Sequence, residues 1–344
     1  MTATDKLLVV GPSWVGDMVM AQSLYRMLKA RDATRAIDVL APAWSLPLLE
    51  RMPEVAERIE LPLGHGELGL AKRRRLGRSL RGQYARAIVL PRSLKSALVP
   101  WFAGIGQRTG FRGEWRYGLI NDMRPFDPKR LDQTVRRFIA LGAERAEDPL
   151  PEPPQPALRV DRDAQDAVVG RLGLDRGKPI VALMPGAEYG PAKQWPPGHF
   201  AKLAQRLAAA GVAVWILGSA RDAPLGREIA RAAGAGAVNL AGETALVETV
   251  DLLALARVAV SNDSGLMHIA AAVGTHTVAI YGSSTPDFTP PLTGSATVHY
   301  RRLSCSPCFE RECPLGHLDC LVGIGVDAVH ASVERKLDAR AQTR

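Results

Sequence analysis

The chain of 344 residues is longer than a single hydrophobic core usually sustains, so we expect two domains. Hydrophobic residues (47%) and charged residues (23%) occur as in ordinary folded proteins. The sequence has neither a signal-peptide pattern nor a long apolar run, which argues against secretion and membrane spanning and predicts a cytoplasmic location. The formal net charge of +9 favours anionic partners.

The first predicted element is an apolar strand, Leu7–Val10, followed by a glycine-containing loop and a helix over Met18–Leu28. Asp17 lies where this helix begins. Two interpretations are open: a helix N-cap, for which Asp is a preferred residue, or a general base at a sheet edge. In the second case Ser13 and Gly16 line the substrate site. The loop lacks the GxGxxG pattern, which disfavours a nicotinamide dehydrogenase.

A basic segment, Lys72–Arg86, holds seven basic residues and no acid, and Lys95 and Arg112 follow it. A solvated helix face explains such a run, and an anion-binding surface explains it equally well because Trp101 and Trp115 lie nearby in the sequence. Phosphorylated lipid, nucleotide and nucleic acid all fit the charge. Further strands of this half are predicted at Ile37–Leu40, Ile59–Leu61 and Ala87–Leu90.

A proline-rich linker divides the chain, with five prolines in Asp148–Val160. We expect domains at residues 1–150 and 157–325, a linker at 151–156, and a C-terminal helix at 326–344 that packs back on the first domain. Strands of the second half are predicted at Ile180–Met184, Ala213–Leu217, Val258–Ser261 and Thr277–Tyr281. Strands alternate with amphipathic helices in both halves, which is typical of two doubly wound, Rossmann-like α/β domains. Ligands bind such sheets at the carboxyl ends of their strands, so we expect substrates in a central cleft.

The loop after Ile180–Met184 contains Gly186, where the backbone can approach a ligand, and Lys193. A loop lysine is either solvated or neutralises a phosphate. The helix Pro197–Ala210 follows and ends at a glycine. Gly218 and Ser219 follow the next strand and are predicted to form part of a nucleoside pocket.

The segment "SNDSGLMHIAAAVG" places polar residues at the end of an apolar strand and a histidine in the helix after it. Ser264 and Gly265 allow a sharp turn into a helix whose N-terminal N–H groups attract an oxyanion. His268 is then either a core residue or a hydrogen-bond donor to a diphosphate, and Asp263 accepts from a sugar hydroxyl or orients a neighbour. A glycine-serine turn, "YGSSTP", follows at the same sheet edge. These loops together predict a nucleotide-diphosphate site.

The four cysteines, Cys305, Cys308, Cys313 and Cys320, have the spacing C-x2-C-x4-C-x6-C with His317 among them. In a cytoplasmic protein this clustering argues against disulfides. The spacing fits no common zinc module, so reduced thiols are the preferred interpretation and a structural metal the alternative.

With these segments in view, the chain resembles the ADP-heptose:lipopolysaccharide heptosyltransferases, which form glycosyltransferase family 9. The resemblance includes "LLVVGPSWVGDMVMAQSLYRML", "PGAEYGPAKQWP", "NDSGLMHIAAAVG" and "SSTPDFTPPL", and covers most of residues 7–292. It implies a GT-B fold, with the acceptor bound mainly by the first domain and the sugar nucleotide by the second. It also implies an inverting transfer that requires no metal or other cofactor.

The resemblance further implies roles for individual residues. Asp17 matches the family's catalytic base, and Met184 to Gly186 line its cleft. Lys193, Asp263, Gly265 and His268 match its ADP-heptose contacts, and Lys193 is expected to stabilise charge on the leaving diphosphate. The loop before Asp17 is closest to members that add the second heptose, which implies ADP-L-glycero-D-manno-heptose as donor and heptosyl-Kdo2-lipid A as acceptor. We also expect a monomer whose basic face contacts the inner membrane peripherally.

Three alternatives remain at this point. A transferase acting on a different core acceptor, for the first heptose, has the same motifs. A sugar-nucleotide epimerase of GT-B fold uses a similar cleft. A nucleic-acid-binding module fits the charge, but an aromatic content of 6% and the lack of a recognisable motif disfavour it, so we expect no nucleic acid partner.

Overall fold

The computed structural model describes residues 6–64 and 66–341, with side chains up to residue 338. Residues 1–5 and 65 of the predicted segment 1–150, and residues 342–344 of the predicted helix 326–344, lie outside the described residues. Contacts divide the chain into two units, and the division falls between Pro156 and Ala157, at the end of the predicted linker.

The first unit is a parallel sheet of six strands with helices between them. The strands are β1 (Leu7–Val10), β2 (Ile37–Pro42), β3 (Val55–Leu61), β4 (Arg86–Val89), β5 (Gln107–Phe111) and β6 (Asp122–Arg124), and the helices are α1 (Val15–Arg31), α2 (Leu46–Leu49), α3 (Leu70–Ser79), α4 (Leu98–Phe102) and α5 (Thr134–Leu141). The strand order is β3-β2-β1-β4-β5-β6, and every pair is parallel. The central strands are apolar on both faces because helices cover both sides of such a sheet.

The second unit repeats this architecture. Its strands are β7 (Ile180–Met184), β8 (Ala213–Ile216), β9 (Ala237–Asn239), β10 (Val258–Asn262), β11 (His276–Tyr281) and β12 (Ala296–Tyr300), and its helices are α6 (Arg162–Arg171), α7 (Pro197–Ala209), α8 (Ala223–Ala233), α9 (Leu246–Leu253), α10 (Gly265–Ala272), α11 (Asp319–Val322) and α12 (Val326–Ala341). The strand order β12-β11-β10-β7-β8-β9 is again parallel throughout. The prediction of two doubly wound α/β domains is confirmed.

Each unit has its own hydrophobic core. In the first, Leu8, Val10 and Val89 of the central strands pack with residues of α4 and of the following loop. In the second, β7, β8, β10 and β11 pack against α7 and α12, with Trp195 fully buried among them. The described contacts of α12 include α7, β10 and β11, all in its own unit; its packing on the first domain stays a prediction.

The close packing of α3 on α4 depends on a glycine. A Cβ built on Gly77 would lie 2.5 Å from Cβ of Phe102 and 2.7 Å from the carbonyl oxygen of Val99. Gly170 in α6 is also a helical glycine, but a Cβ there would meet nothing within 4 Å. The two positions differ in available space and share the same backbone conformation.

We therefore expect Gly77→Ala to lower the free energy of unfolding by about 1–3 kcal/mol, because the added methyl group separates the two helices. Gly170→Ala is the matched control and should raise stability by roughly 0.5–1 kcal/mol, since alanine favours the helix. Chemical denaturation of both variants measures the difference. Equal effects in both would contradict the packing argument.

Candidate functional site

Both sheets have a topological switch point, where neighbouring strands lead to connections in opposite directions. In the second unit β7 and β10 are these neighbours, and in the first unit β1 and β4 are. The crevice at a switch point is the usual ligand site of such sheets. The predicted residues Asp263 and Gly186 follow β10 and β7, and Asp17 and Lys95 follow β1 and β4.

A buried ion pair lies at the switch point of the second unit. The Nζ atom of Lys193 lies 2.5 Å from Oδ2 of Asp263, and the side chains are 18% and 5% exposed. The hydroxyl of Ser284 donates to the same Oδ2 at 2.6 Å, and that of Thr289 donates to Oδ1 at 3.4 Å. Lys193 also lies 5.1 Å from the ring centre of Tyr189. Asp263 therefore orients the lysine, which is one of the two roles that the sequence left open.

Asn262 is a residue of this site that the sequence analysis did not assign. It is fully buried at the end of β10, and its Nδ2 donates to the carbonyl oxygens of Pro185 (2.8 Å) and Gly186 (3.3 Å). Its Oδ1 accepts from the backbone N–H of Trp195 at 2.9 Å. One amide thus joins the beginning and the end of the loop after β7, on either side of Lys193. In the sequence, the indication of this role was an asparagine at the end of an otherwise apolar strand.

Helix α10 begins directly after Asp263. Ser264 occupies the N-cap position with extended backbone angles, but its side chain makes no capping hydrogen bond to the helix. Gly265 is the first helical residue, as predicted. His268 is 4% exposed, and burial lowers its pKa to about 4 against the attraction of Asp263. The imidazole is therefore neutral at pH 7 and is able to donate one hydrogen bond but carries no charge to a phosphate.

The predicted nucleoside pocket residues contact one carboxylate. Asp222 Oδ2 accepts from the backbone N–H and the hydroxyl of Ser219, both at 2.8 Å. A Cβ on Gly186 would lie 2.5 Å from Oδ1 of Asp222, and one on Gly218 would lie 2.8 Å from its Cβ. Both glycines are needed for this close approach. Met184, which is also predicted to line the cleft, is buried in β7.

In the first unit Asp17 lies in the first turn of α1, and the N-cap residue is Trp14. The interpretation of Asp17 as the N-cap is therefore wrong in position, because the helix begins earlier than the apolar spacing indicated. Asp17 and Gly16 are partly exposed. Ser13 lies in the preceding loop, where its carbonyl oxygen accepts from Nε1 of Trp44 at 3.1 Å. The positive end of the helix favours an ionised carboxylate at this position.

A buried arginine supports the neighbouring loop after β4. The guanidinium of Arg116 donates to the carbonyl oxygens of Phe111 (3.1 Å from Nε) and Pro91 (2.7 Å from Nη1). Burial lowers its pKa to about 10, so it stays charged at pH 7. Lys95 lies in a 3₁₀ turn of the same loop and is partly exposed, and Arg112 is exposed with its guanidinium 5.7 Å from the ring centre of Tyr117.

Basic side chains cover the surface of α3, as the run of charges indicated. Within this helix only Arg73 and Gly77 are buried. Exposed hydrophobic residues also occur in this unit, among them Leu68, Leu70, Trp101 and Trp115. None of the described helices combines the length and apolar character needed to cross a bilayer.

The four cysteines are free thiols that line one small cavity together with His317 and Ser283. Burial and the nearby thiols of Cys305, Cys308 and Cys313 raise the pKa of Cys320. Across residues 6–64 and 66–341, no three His, Cys, Asp or Glu side chains already form a metal-ligand group.

Comparisons with known proteins agree with this architecture. The family model described as Glycosyltransferase family 9 (heptosyltransferase) matches residues 73–319. Lipopolysaccharide heptosyltransferase 2 of Escherichia coli K12 is 52% identical over 303 residues, 85% of this chain and 87% of that protein. Lipooligosaccharide heptosyltransferase 2 of Haemophilus influenzae is 48% identical over 309 residues, with 85% and 87% covered. The solved structure of E. coli ADP-heptose LPS heptosyltransferase II has a TM-score of 0.86 at 44% identity, covering 98% of this chain and 99% of that one.

The chain therefore belongs to glycosyltransferase family 9, and it is a glycosyltransferase. The family predicted from the motifs is confirmed, as is the α/β fold class shared with GT-B heptosyltransferases. The roles of individual site residues stay predictions. Of these, the structure brings together Lys193 and Asp263 beside the start of α10 in the second unit, and it places Asp17 in the first turn of α1 in the first.

The neutral imidazole of His268 makes stability depend on pH. Its pKa of about 4 in the folded protein lies below the ordinary 6.5, so the unfolded chain binds the proton first as the pH falls. The stability that depends on a neutral His268 is therefore fully present above about pH 6.5 and is lost as the pH falls towards about 4. At about 1.4 kcal/mol per pKa unit, the loss approaches about 3 kcal/mol.

We expect the free energy of unfolding of the wild type to fall more steeply than that of His268→Gln between about pH 7 and about pH 4.5. Chemical denaturation at several pH values measures both slopes. Because other titrating groups are shared by the two proteins, their difference isolates His268. Parallel slopes would show that His268 is not held neutral by burial.

Proposed function

We propose that this protein transfers L-glycero-D-manno-heptose from ADP-heptose to heptosyl-Kdo2-lipid A, adding the second heptose of the lipopolysaccharide inner core. The observation that carries the proposal is the 52% identity over 85% of the chain to an enzyme named lipopolysaccharide heptosyltransferase 2. The site agrees with it, because the second unit offers groups for a diphosphate and the first offers a carboxylate and basic side chains. Each substrate is assigned to one unit.

The donor is assigned to the switch point of the second unit. Lys193 supplies a positive charge and the start of α10 supplies backbone N–H groups, which are suited to the oxygens of a diphosphate. Without donor, the charge of Lys193 is balanced by Asp263 at 2.5 Å. A bound diphosphate competes for the same ammonium group. The neutral His268 adds a hydrogen bond without adding charge.

The acceptor is assigned to the first unit, with Asp17 as general base. Its carboxylate takes the proton of an acceptor heptose hydroxyl, and that oxygen forms a bond to the anomeric carbon of the donor heptose. The bond from the anomeric carbon to the phosphate oxygen breaks, and ADP leaves with the electron pair. Attack from the face opposite ADP inverts the anomeric configuration. Lys193 and the α10 N–H groups stabilise the charge that grows on the leaving diphosphate.

The basic surface of the first unit is assigned to the anionic acceptor and to the membrane that carries it. Lys95 and Arg112 near the switch point and the basic side chains of α3 are suited to phosphates of the inner core and of lipid headgroups. Such contact is peripheral and cytoplasmic, and it acts through charge rather than insertion. We propose a monomer and no nucleic acid partner.

The acceptor is tested by mass spectrometry of reactions that contain ADP-heptose and either Kdo2-lipid A or heptosyl-Kdo2-lipid A. We expect a product heavier by one heptose only with the acceptor that already carries a heptose, because the relatives with this level of identity are named for the second transfer. Product from Kdo2-lipid A instead would assign the chain to the first transfer. Conversion of the sugar nucleotide without acceptor would indicate an epimerase.

Asp17→Asn tests the base. We expect kcat to fall by about 10²–10⁴-fold, because a neutral amide cannot accept the hydroxyl proton. Asp32→Asn, at the other end of the same helix, is the matched control and should leave kcat unchanged, since Asp32 caps a turn through Thr34. Steady-state kinetics with saturating donor measures both. A kcat within a few-fold of wild type for Asp17→Asn would reject the assignment.

Lys193→Met tests the assignment of Lys193 to the donor site. We expect ADP to bind about 10- to 100-fold more weakly, since a charge-assisted hydrogen bond contributes roughly 1.5–3 kcal/mol. Titration calorimetry with ADP measures this, and Asp17→Asn should bind ADP as the wild type does. Circular dichroism checks that the variant is folded, because the change leaves Asp263 without its cation. Unchanged ADP affinity would remove Lys193 from the donor site.

A further inference from the structure

The cysteine-rich segment, residues 305–320, packs directly on the loops that carry the donor residues. The backbone N–H of Ala192, beside Lys193, donates to the carbonyl oxygen of Arg311 at 3.0 Å. The phenol of Tyr189 donates to the carbonyl oxygen of Phe309 at 2.5 Å. These two bonds hold the loop after β7 against the cysteine-rich segment.

The loop after β11 is held by the same segment. The backbone N–H of Phe309 donates to the carbonyl oxygen of Ser283 at 2.7 Å, and the hydroxyl of Ser306 donates to that of Gly282 at 2.6 Å. Ser283 precedes Ser284, which holds Asp263. A Cβ on Gly282 would lie 2.8 Å from the carbonyl oxygen of Ala192, so the two loops touch each other as well. The position of the whole donor cluster depends on how the cysteine-rich segment folds.

This segment has little apolar material with which to hold its own shape. It has one short helix, α11, at its end, and most of its residues are exposed or partly exposed. Its four cysteines instead converge on one cavity of about 20 Å³, which Ala192 and Ser283 also line. A cavity of this size has room for a single ion or water molecule and not for an organic ligand.

A buried hydroxyl beside the four thiols indicates that this cavity holds a ligand. Ser283 lines the cavity and is 1% exposed, and its hydroxyl has no hydrogen-bond partner within the described part of the chain. A buried hydroxyl without a partner is unfavourable, so a group in the cavity is expected to satisfy it.

The chain turns sharply after Cys313. The backbone N–H of Gly316 donates to the carbonyl oxygen of Cys313 at 3.0 Å. Left-handed angles at Gly316 (φ 73°) and Leu318 (φ 54°) close this turn. Cys313 thereby lines the same cavity as the three other cysteines.

We propose that Cys305, Cys308, Cys313 and Cys320 bind one thiophilic divalent cation, Zn²⁺, as four thiolates. Soft sulfur ligands select this class of metal, and four of them complete a tetrahedral structural site with sulfur about 2.3 Å from the ion. Binding releases the thiol protons to solvent and involves no change of oxidation state. As the described side chains stand, they form no group of three or more metal ligands, so the proposal requires the thiols to rotate onto the ion.

In this proposal the metal has a structural role, and it acts by fixing the positions of nearby residues. It ties the segment that bonds Ala192 and Ser283 into one rigid turn and thereby fixes Lys193 and Ser284. The effect on the donor rests on the proposed function, whereas metal binding itself does not. In this proposal the ion takes no part in the transfer.

The test is the metal content of the full-length, untagged protein, expressed with zinc and measured by plasma mass spectrometry. We expect about one zinc per chain. Cys305→Ser and Cys308→Ser, at partly exposed positions, should each lose most of it, and His317→Asn should keep it as the matched control, since asparagine can replace the imidazole as acceptor for the N–H of Asp319. A wild type without zinc, or Cys variants that retain it, would overturn the proposal. Loss of zinc in His317→Asn would overturn the four-thiolate ligand set.

A second measurement identifies the metal ligands in the wild-type protein, so it does not depend on the yield of the Cys variants. Cobalt(II) substituted into the wild type should give the absorption bands of tetrahedral thiolate coordination, and X-ray absorption should give a shell of sulfur alone. A shell of oxygen or nitrogen would overturn the assignment. Removing the metal with a chelator should lower the melting temperature and weaken ADP binding, and an unchanged melting temperature would overturn the structural role.

Discussion

The site of the second unit depends on one electrostatic constraint, which is the buried carboxylate of Asp263. A charge removed from water is strongly unfavourable unless a counter-charge and hydrogen bonds surround it. Lys193, Ser284 and Thr289 supply them from the loops after β7 and β11. The carboxylate therefore gathers three segments at one sheet edge. A pair of this kind is a poor source of stability, but it holds the lysine in a fixed position at the sheet edge.

The two units have the same sheet topology but present different charged groups at the corresponding sheet edge. Each places a polar loop at the carboxyl edge of two central strands, but the first presents a carboxylate within a basic surface and the second presents a lysine with N–H groups. This arrangement follows from the parallel sheet, which delivers every loop of one kind to the same edge.

The sequence predicted much of this architecture because its central strands are apolar on both faces. It did not predict β5, β6, β9 and β12, since β6 and β9 have three residues each and β5, "QRTGF", has no apolar run. β12 lies at a sheet edge with its side chains partly exposed. Asp17, Lys193, Asp263 and His268 were predicted as site residues because polar residues after buried strands are informative, and their roles stay predictions. Asn262 and the orphan hydroxyl of Ser283 were missed, since their importance lies in contacts between segments distant in sequence.

The interior of the first unit also contains a permanent positive charge. The hydrogen bonds of Arg116 go to carbonyl oxygens and a serine hydroxyl, and its guanidinium lies beneath the loop that carries Lys95. Salt screens exposed charges far more than buried ones. The positive charge of Arg116 is therefore less affected by ionic strength than the charges of lysines and arginines on the surface, and it is kept when those surface residues are substituted.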